Sequence, residues 1–207
     1  MNSILFWVGV LVVVTLLSPL LKYVIAVVAG RAIGAEALAA QPDTIRLVEP
    51  LGDSRSDAAS MRRTVDELSR LGFRDAGLHA IAEMPGILVQ LMAQPDEGFY
   101  GVVYHHPQAG VWFDVVSRFQ DGTSITWTTC RPTGLAARPG HPMVNLPGLN
   151  AAAVFEKARA TRPRRPLTPA AGAQAVTVFE QAYAESTAWR KGRGVSTAEV
   201  VKVAKAA

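Results

Sequence analysis

Cysteine is nearly absent from this chain: 207 residues hold a single one, Cys130. One thiol excludes an intramolecular disulfide framework and any cysteine-based zinc finger. Histidine is scarce as well, with four copies at His79, His105, His106 and His141. Their spacing is not that of three or four ligands converging on one metal. No glycine-rich stretch ends in the Gly-Lys-Ser/Thr of a phosphate-binding loop. Charge is thin, at 18% of residues, and residues 4–21 carry none. What remains is apolar. At 49% hydrophobic, the chain has enough for a packed core and too much for a disordered polymer. Its length fits one ordinary domain plus an appendage.

The uncharged run decides the nature of that appendage. Residues 4–21 reach the length at which an apolar stretch can span a bilayer as a helix. A lysine at the bilayer centre costs about 3 kcal/mol, so Lys22 marks an edge, where its ammonium reaches the headgroups. The membrane-embedded segment is therefore expected over residues 4–23, with Trp7 and Tyr23 as interfacial anchors. The helix then runs on to about residue 40 along the surface. Pro19 bends such a helix without ending it. A cleaved signal peptide calls for a basic segment before its apolar core, and no Lys or Arg stands there. A buried core helix is rarely apolar on every face. Positive charge near the span follows it, at Lys22, Arg31 and Arg46. That bias favours a single-pass protein with the rest of the chain on the cytoplasmic side.

Residues 41–56 read as a linker of turn-forming and charged residues. From 57 to 71, Met61, Val65, Leu68 and Leu71 recur on one helical face. Gly72 stands where a left-handed residue closes a helix, with Phe73 able to fold back on Leu68. Five strand-like segments follow, at 75–84, 86–93, 98–106, 110–119 and 123–130, rich in Val, Ile, Thr and aromatics. Turn signals separate them, the strongest being Asp121-Gly122. They predict an antiparallel meander covered by the helix through Val111, Phe113, Val115 and Phe119, with the first strand wet on its other side. Residues 131–148 form a Pro/Gly-rich loop of a length that compact domains use for function or leave disordered. Helices are expected at 150–161, and at 169–191 with Thr168 as N-cap and Gly192 at the end. A last one starts at Ser196, where Glu199 completes a capping box. The fold class is thus α+β. A transmembrane and juxtamembrane helix (1–40) and a linker (41–56) precede an α+β domain of about five antiparallel strands on a helix (57–161). A basic linker and C-terminal helices (162–207) complete the chain.

Candidate chemistry is limited to four residues, Cys130, His105, His106 and His141, each of which also reads as an ordinary packing or surface residue. His105 and His106 are neighbours on a strand and point to opposite faces. His141 lies in the long loop. Cys130 ends the last strand beside Arg131, whose charge lowers a thiol pKa, and as a nucleophile it needs one of the histidines as base. His79 and Glu83 lie about 13 Å apart along a strand and read as surface groups. Asp114 reads as outward-facing beside Trp112 and Arg118, and Asp121 as a turn residue. No cofactor and no metal is expected.

Charge is divided along the chain. Residues 41–130 hold 7 Lys/Arg against 12 Asp/Glu, whereas residues 131–207 hold 12 against 4. A basic C-terminal part beside a bilayer fits contact with anionic lipid through Arg162, Arg164 and Arg165, each worth about 1 kcal/mol near the surface. No aromatic platform is interleaved with these arginines, which argues against nucleic acid.

One succession of features is familiar. A helix ends Leu71-Gly72-Phe73; then come Phe119-Gln120-Asp121-Gly122, a strand ending Thr128-Thr129, and a proline-rich loop before a helix. This resembles a set of uncharacterised bacterial membrane-anchored α+β proteins over about residues 60–160. The resemblance implies a fold order and no activity. Where that pattern often has asparagine after the two threonines this chain has Cys130, and its helix at 150–161 lacks the histidine often found there. The functional expectation is a non-enzymatic interaction or accessory module at a membrane surface, with a protein partner that the residues do not name. The alternative is a small-ligand binder or hydrolase with its site near the 131–148 loop.

Overall fold

The computed structural model describes residues 30, 32, 34–50 and 55–206. The expected membrane span, residues 4–23, lies outside the described residues. Among those described, no helix is long and apolar enough to cross a membrane. The chain divides into two compact units.

The larger unit comprises Pro42–Pro132 and Ala136–Trp189. Its strands are β1 (Leu47–Val48), β2 (Arg74–Ile81), β3 (Leu88–Gln94), β4 (Phe99–His106), β5 (Gly110–Arg118), β6 (Ser124–Thr128) and β7 (Met143–Asn145). They form one sheet in chain order, antiparallel from β1 to β6, with β7 parallel to β6. The α+β class holds, and the sheet has seven strands rather than about five. The two additions are β1 and β7, of two and three residues, too short to show an alternation of apolar and polar positions. The segment before β7 serves as the long connection that a parallel return requires. Part of the expected loop is therefore an edge strand, held where the Leu146 amide donates to the Thr128 carbonyl at 2.7 Å.

Helix α1 (Arg55–Arg70) ends as its sequence dictates. Gly72 takes a φ of +88°, the Phe73 amide donates to the Leu68 carbonyl, and the Gly72 amide donates to that of Ser69. This pair of bonds satisfies carbonyls that the helix end would leave open. The helix covers one face of the sheet together with α2 (Ala151–Thr161), whose N-cap Asn150 accepts from the Ala153 amide. Met61, Leu68, Phe73, Phe113, Val115, Phe119 and Trp127 are buried together there. The Phe155 ring sits edge-on to Phe73 and to Phe99, at 5.3 Å each. Each such side chain contributes about 1.5–3 kcal/mol by leaving water. Val111, expected in this set, is 36% exposed at the strand end.

The opposite face is covered as well: β2 is exposed only at Arg74 and Asp75 and buries Ile81 on that face, so the wet side expected of the first strand is confined to that end. All seven residues of β3 are buried, because Leu88 and Met92 feed one core while Val89, Leu91 and Ala93 feed a second. Such a strand is apolar at consecutive positions. The cover is helix α3 (Ala175–Arg193), packing Val178, Phe179 and Tyr183 toward the sheet. Its side chains also tie β1 and the chain before it: Glu180 accepts from the Leu47 amide at 2.7 Å, and Tyr183 donates to the Pro42 carbonyl at 3.2 Å.

Helix α3 does not begin at Thr168 and Pro169. The Thr168 amide donates to the Arg118 carbonyl, and Leu167 bridges Phe119, so this stretch stays extended along the sheet. A 3-10 turn at Gly172–Gln174 leads into the helix. Nor does the helix stop at Gly192. Gly194 takes the positive φ, +70°, with its amide on the Arg190 carbonyl.

The smaller unit takes in the described residues up to Gln41 together with Thr133–Leu135 and residues 190–206. Helix α4 (Thr197–Ala206) starts with the expected capping box: the Glu199 amide donates to Ser196 Oγ, and the Ser196 amide donates to Glu199 Oε2. Residues 34–40 are helical. A Cβ on Gly30 would lie 2.5 Å from Val200, and one on Gly34 would lie 3.3 Å from Val195, so glycine permits these close approaches.

Candidate functional site

The four residues singled out by chemistry do not converge. His105 is paired across strands with Leu88 and Val111 and therefore shares the α1 face with Leu88. Its Nδ1 is buried without a hydrogen-bond partner. His106 Nδ1 accepts from the Gln108 and Ala109 amides and closes the β4–β5 turn. Cys130 lies just past β6, where burial first and the Asp114 carboxyl second raise its thiol pKa. Arg131 acts only through its backbone in the opposite direction. His141 sits beside Ser124 at the other end of the strand, Nδ1 to Oγ 2.8 Å. Cys130 lies six positions along the extended chain from Ser124, about 20 Å, so His141 cannot serve Cys130 as a base. Among the described residues no three His, Cys, Asp or Glu side chains gather as a metal would need.

The geometry instead points to the face under α3. The sheet and the helix border a half-open cavity of about 410 Å³. Leu91, Val102 and Val116 form its apolar floor, Val178 and Phe179 its helical wall, and Tyr104 and Trp112 a stacked pair at one end. The two rings are 4.8 Å apart and tilted by 11°. Strand β5 supplies the polar groups because Trp112, Asp114, Val116 and Arg118 are alternate residues and share one face.

Asp114 is therefore not an outward-facing surface group. Tyr104 donates to its Oδ2 at 3.2 Å, while Oδ1 is buried with no partner in hydrogen-bonding geometry. Burial raises the carboxyl pKa to about 6, against the opposing pull of the Thr128 and Tyr104 hydroxyls. The Tyr104 phenol is pushed well above its ordinary range by burial and by the same carboxyl.

Arg118 marks the other polar position, four residues or about 13 Å along the strand. It is the cross-strand partner of Ser124, so their Cβ atoms lie about 5 Å apart. Both line the cavity. Among the described residues the Arg118 guanidinium makes no hydrogen bond. His141, on Ser124, has a pKa lowered by burial and then by Arg138 and Arg118; it is neutral at pH 7. Glu185 nearby is spoken for, since Arg138 holds Oε2 and Gln181 holds Oε1, both at 2.9 Å.

No family model, curated protein or solved structure matches this chain. The resemblance to uncharacterised bacterial proteins thus rests on the residues quoted for it. Function has to be read from the site itself.

Two arginines of the basic segment make contacts within the fold. Arg162 donates to the Glu97 carbonyl and lies over the Phe99 ring at 4.2 Å. Arg165 meets Asp121 at 3.2 Å and covers Phe119 at 5.0 Å. Arg164 is exposed. The cavity residues Tyr104, Trp112, Asp114, Arg118 and Ser124 escaped selection as a set, although one signal existed. An aspartate amid Val, Trp and Phe is unusual within a strand.

Proposed function

We propose that the larger unit is a binding module for a small, mostly apolar molecule, held between the sheet and α3. The observation that carries this reading is the cavity with its few polar groups. An engineered apolar cavity of about 150 Å³ holds benzene, so 410 Å³ offers room for a body two to three times larger. Ligand sites are commonly concave and apolar, with sparse polar groups that set orientation. The apolar segment at residues 4–23, uncharged as far as residue 21, supports the further proposal that this module is carried at a membrane, where apolar molecules are abundant.

The test is to fill the cavity. Val178→Trp places an indole where the ligand body would lie. Saturable fluorescence enhancement of N-phenyl-1-naphthylamine by the full chain should weaken at least tenfold in the variant, with folding checked by circular dichroism. Equal binding by a folded variant rejects the site.

The Ser124–His141 contact favours a second reading, an acyl-ester hydrolase with Ser124 as nucleophile and His141 as base. Two features weigh against it. The Ser124 amide donates to the Gly140 carbonyl and is not available to an oxyanion. Among the described residues no carboxylate is bonded to His141: Glu185 is held by Arg138 and Gln181, and Asp121 by Thr123 and Arg165. Hydrolysis of a p-nitrophenyl acyl ester that disappears in Ser124→Ala would reinstate this reading.

A further inference from the structure

Resting on the cavity reading above, we infer that the ligand is an apolar monocarboxylic acid, its carboxylate held by the Arg118 guanidinium and the Ser124 hydroxyl and its hydrocarbon body lying along β5 toward Tyr104 and Trp112.

Arg118 brings a guanidinium to the edge of an apolar cavity, and that group donates no hydrogen bond among the described residues. A planar fork of donors matches a carboxylate with two parallel bonds. Ser124, directly across the ladder, supplies a third donor. Its hydroxyl is free to donate when the neutral His141 carries its proton on Nδ1 and donates that to Ser124 Oγ, across the observed 2.8 Å. Arg138 adds positive potential beside His141, and Glu185, paired with Arg138 at 2.9 Å, also acts on Arg118 and His141, so that two arginines stand against one glutamate. The local field therefore favours an anion.

The remaining cavity fixes the rest of the ligand. Between Arg118 and Asp114 the floor offers Val116, Leu91 and Val102, with no charge to satisfy a second ionic group. Four strand residues contain twelve backbone atoms and span about 13 Å, so an extended acid of up to roughly twelve carbons fits along that length. At the far end Asp114, itself a carboxyl in a desolvated setting, opposes a second anionic group. A diacid is excluded by that repulsion. The stacked rings of Tyr104 and Trp112 close the path with apolar faces.

Octanoate, octanol and octanedioate make the test, measured by equilibrium dialysis against the full chain at pH 7.5. Octanoate should bind at least about tenfold more tightly than octanol, and octanedioate should bind weakly. Arg118→Gln should remove the preference, lowering octanoate affinity roughly tenfold and leaving octanol unchanged. Arg118→Lys should retain part of it, because charge survives while the fork is lost. A bound carboxylate should also raise the His141 pKa, read from its imidazole carbon resonance, and Arg118→Gln should abolish that rise. Equal binding of octanoate and octanol, or a preference indifferent to both Arg118 variants, overturns the acid inference. If octanol binding is still blocked by Val178→Trp, the cavity reading survives that result. If no compound binds, or none responds to Val178→Trp, both readings fall.

Discussion

Asp114→Asn should stabilise the protein at neutral pH and do so less under acid conditions. The carboxyl ionises near pH 6 in the folded chain against an ordinary 3.8. Between those values the folded state keeps a proton that the unfolded chain has released. Stability therefore falls as pH rises through this window and levels off above it. The full cost of ionising Asp114 under α3 is about 3 kcal/mol, and about 1 kcal/mol of it is present at pH 4.5. Asparagine has the same shape, accepts the Tyr104 hydroxyl through its carbonyl oxygen, and does not titrate. Any fixed cost of its amide group is independent of pH. Urea unfolding of both proteins, followed by tryptophan fluorescence at pH 4.5 and 7.5, isolates the effect. The advantage of the variant should grow by roughly 2 kcal/mol between the two conditions. Glu83, Asp121 and Glu185, whose partners lower their pKa values, act in the opposite sense, but equally in both proteins. An advantage that stays constant with pH would refute burial as the cause of the shift.

Three further outcomes are expected. Gly101→Ala puts a Cβ 3.0 Å from the Phe73 ring and 3.4 Å from Met92 Cβ, overpacking the core by about 1–3 kcal/mol, which urea unfolding would register. Ser196→Ala removes both side-chain bonds to Glu199 and should weaken the start of α4 by about 1 kcal/mol. Amide exchange should accelerate there and remain unchanged in the sheet. If residues 4–23 span a bilayer, the full chain should stay in the membrane pellet through high salt and alkaline carbonate. Its appearance in the aqueous supernatant would remove the tether.

The meander and the helix before it were legible because each has a strong local signature. Met61 to Leu71 repeat at helical spacing, Gly72 ends the helix, and Asp121-Gly122 sets a two-strand turn in which Asp121 Oδ1 accepts from Thr123 at 2.9 Å. Strands β1 and β7 were hidden because a pairing of two or three residues is decided by neighbours distant in sequence. The start of α3 was misplaced for the same reason: Thr168-Pro169 is a good helix opening locally, but the sheet claims Thr168 through the Arg118 carbonyl. The site was hidden more deeply. Chemistry-bearing residues drew attention to Cys130 and the histidines, whereas the cavity depends on α3 covering a face expected to be partly wet. Once that face is covered, Asp114 changes from a surface carboxylate to a buried acid, and Arg118 and Ser124 become neighbours inside a lined cavity.

A medium-chain fatty acid bearing a diazirine on its chain, photo-crosslinked to the full protein and mapped by mass spectrometry, examines the binding site most directly. Labels should fall on β4, β5 and α3, at residues such as Tyr104, Val116 and Phe179, and excess octanoate should compete them away. Labels confined to residues 4–23, or scattered over the surface without competition, would contradict the cavity as the binding site.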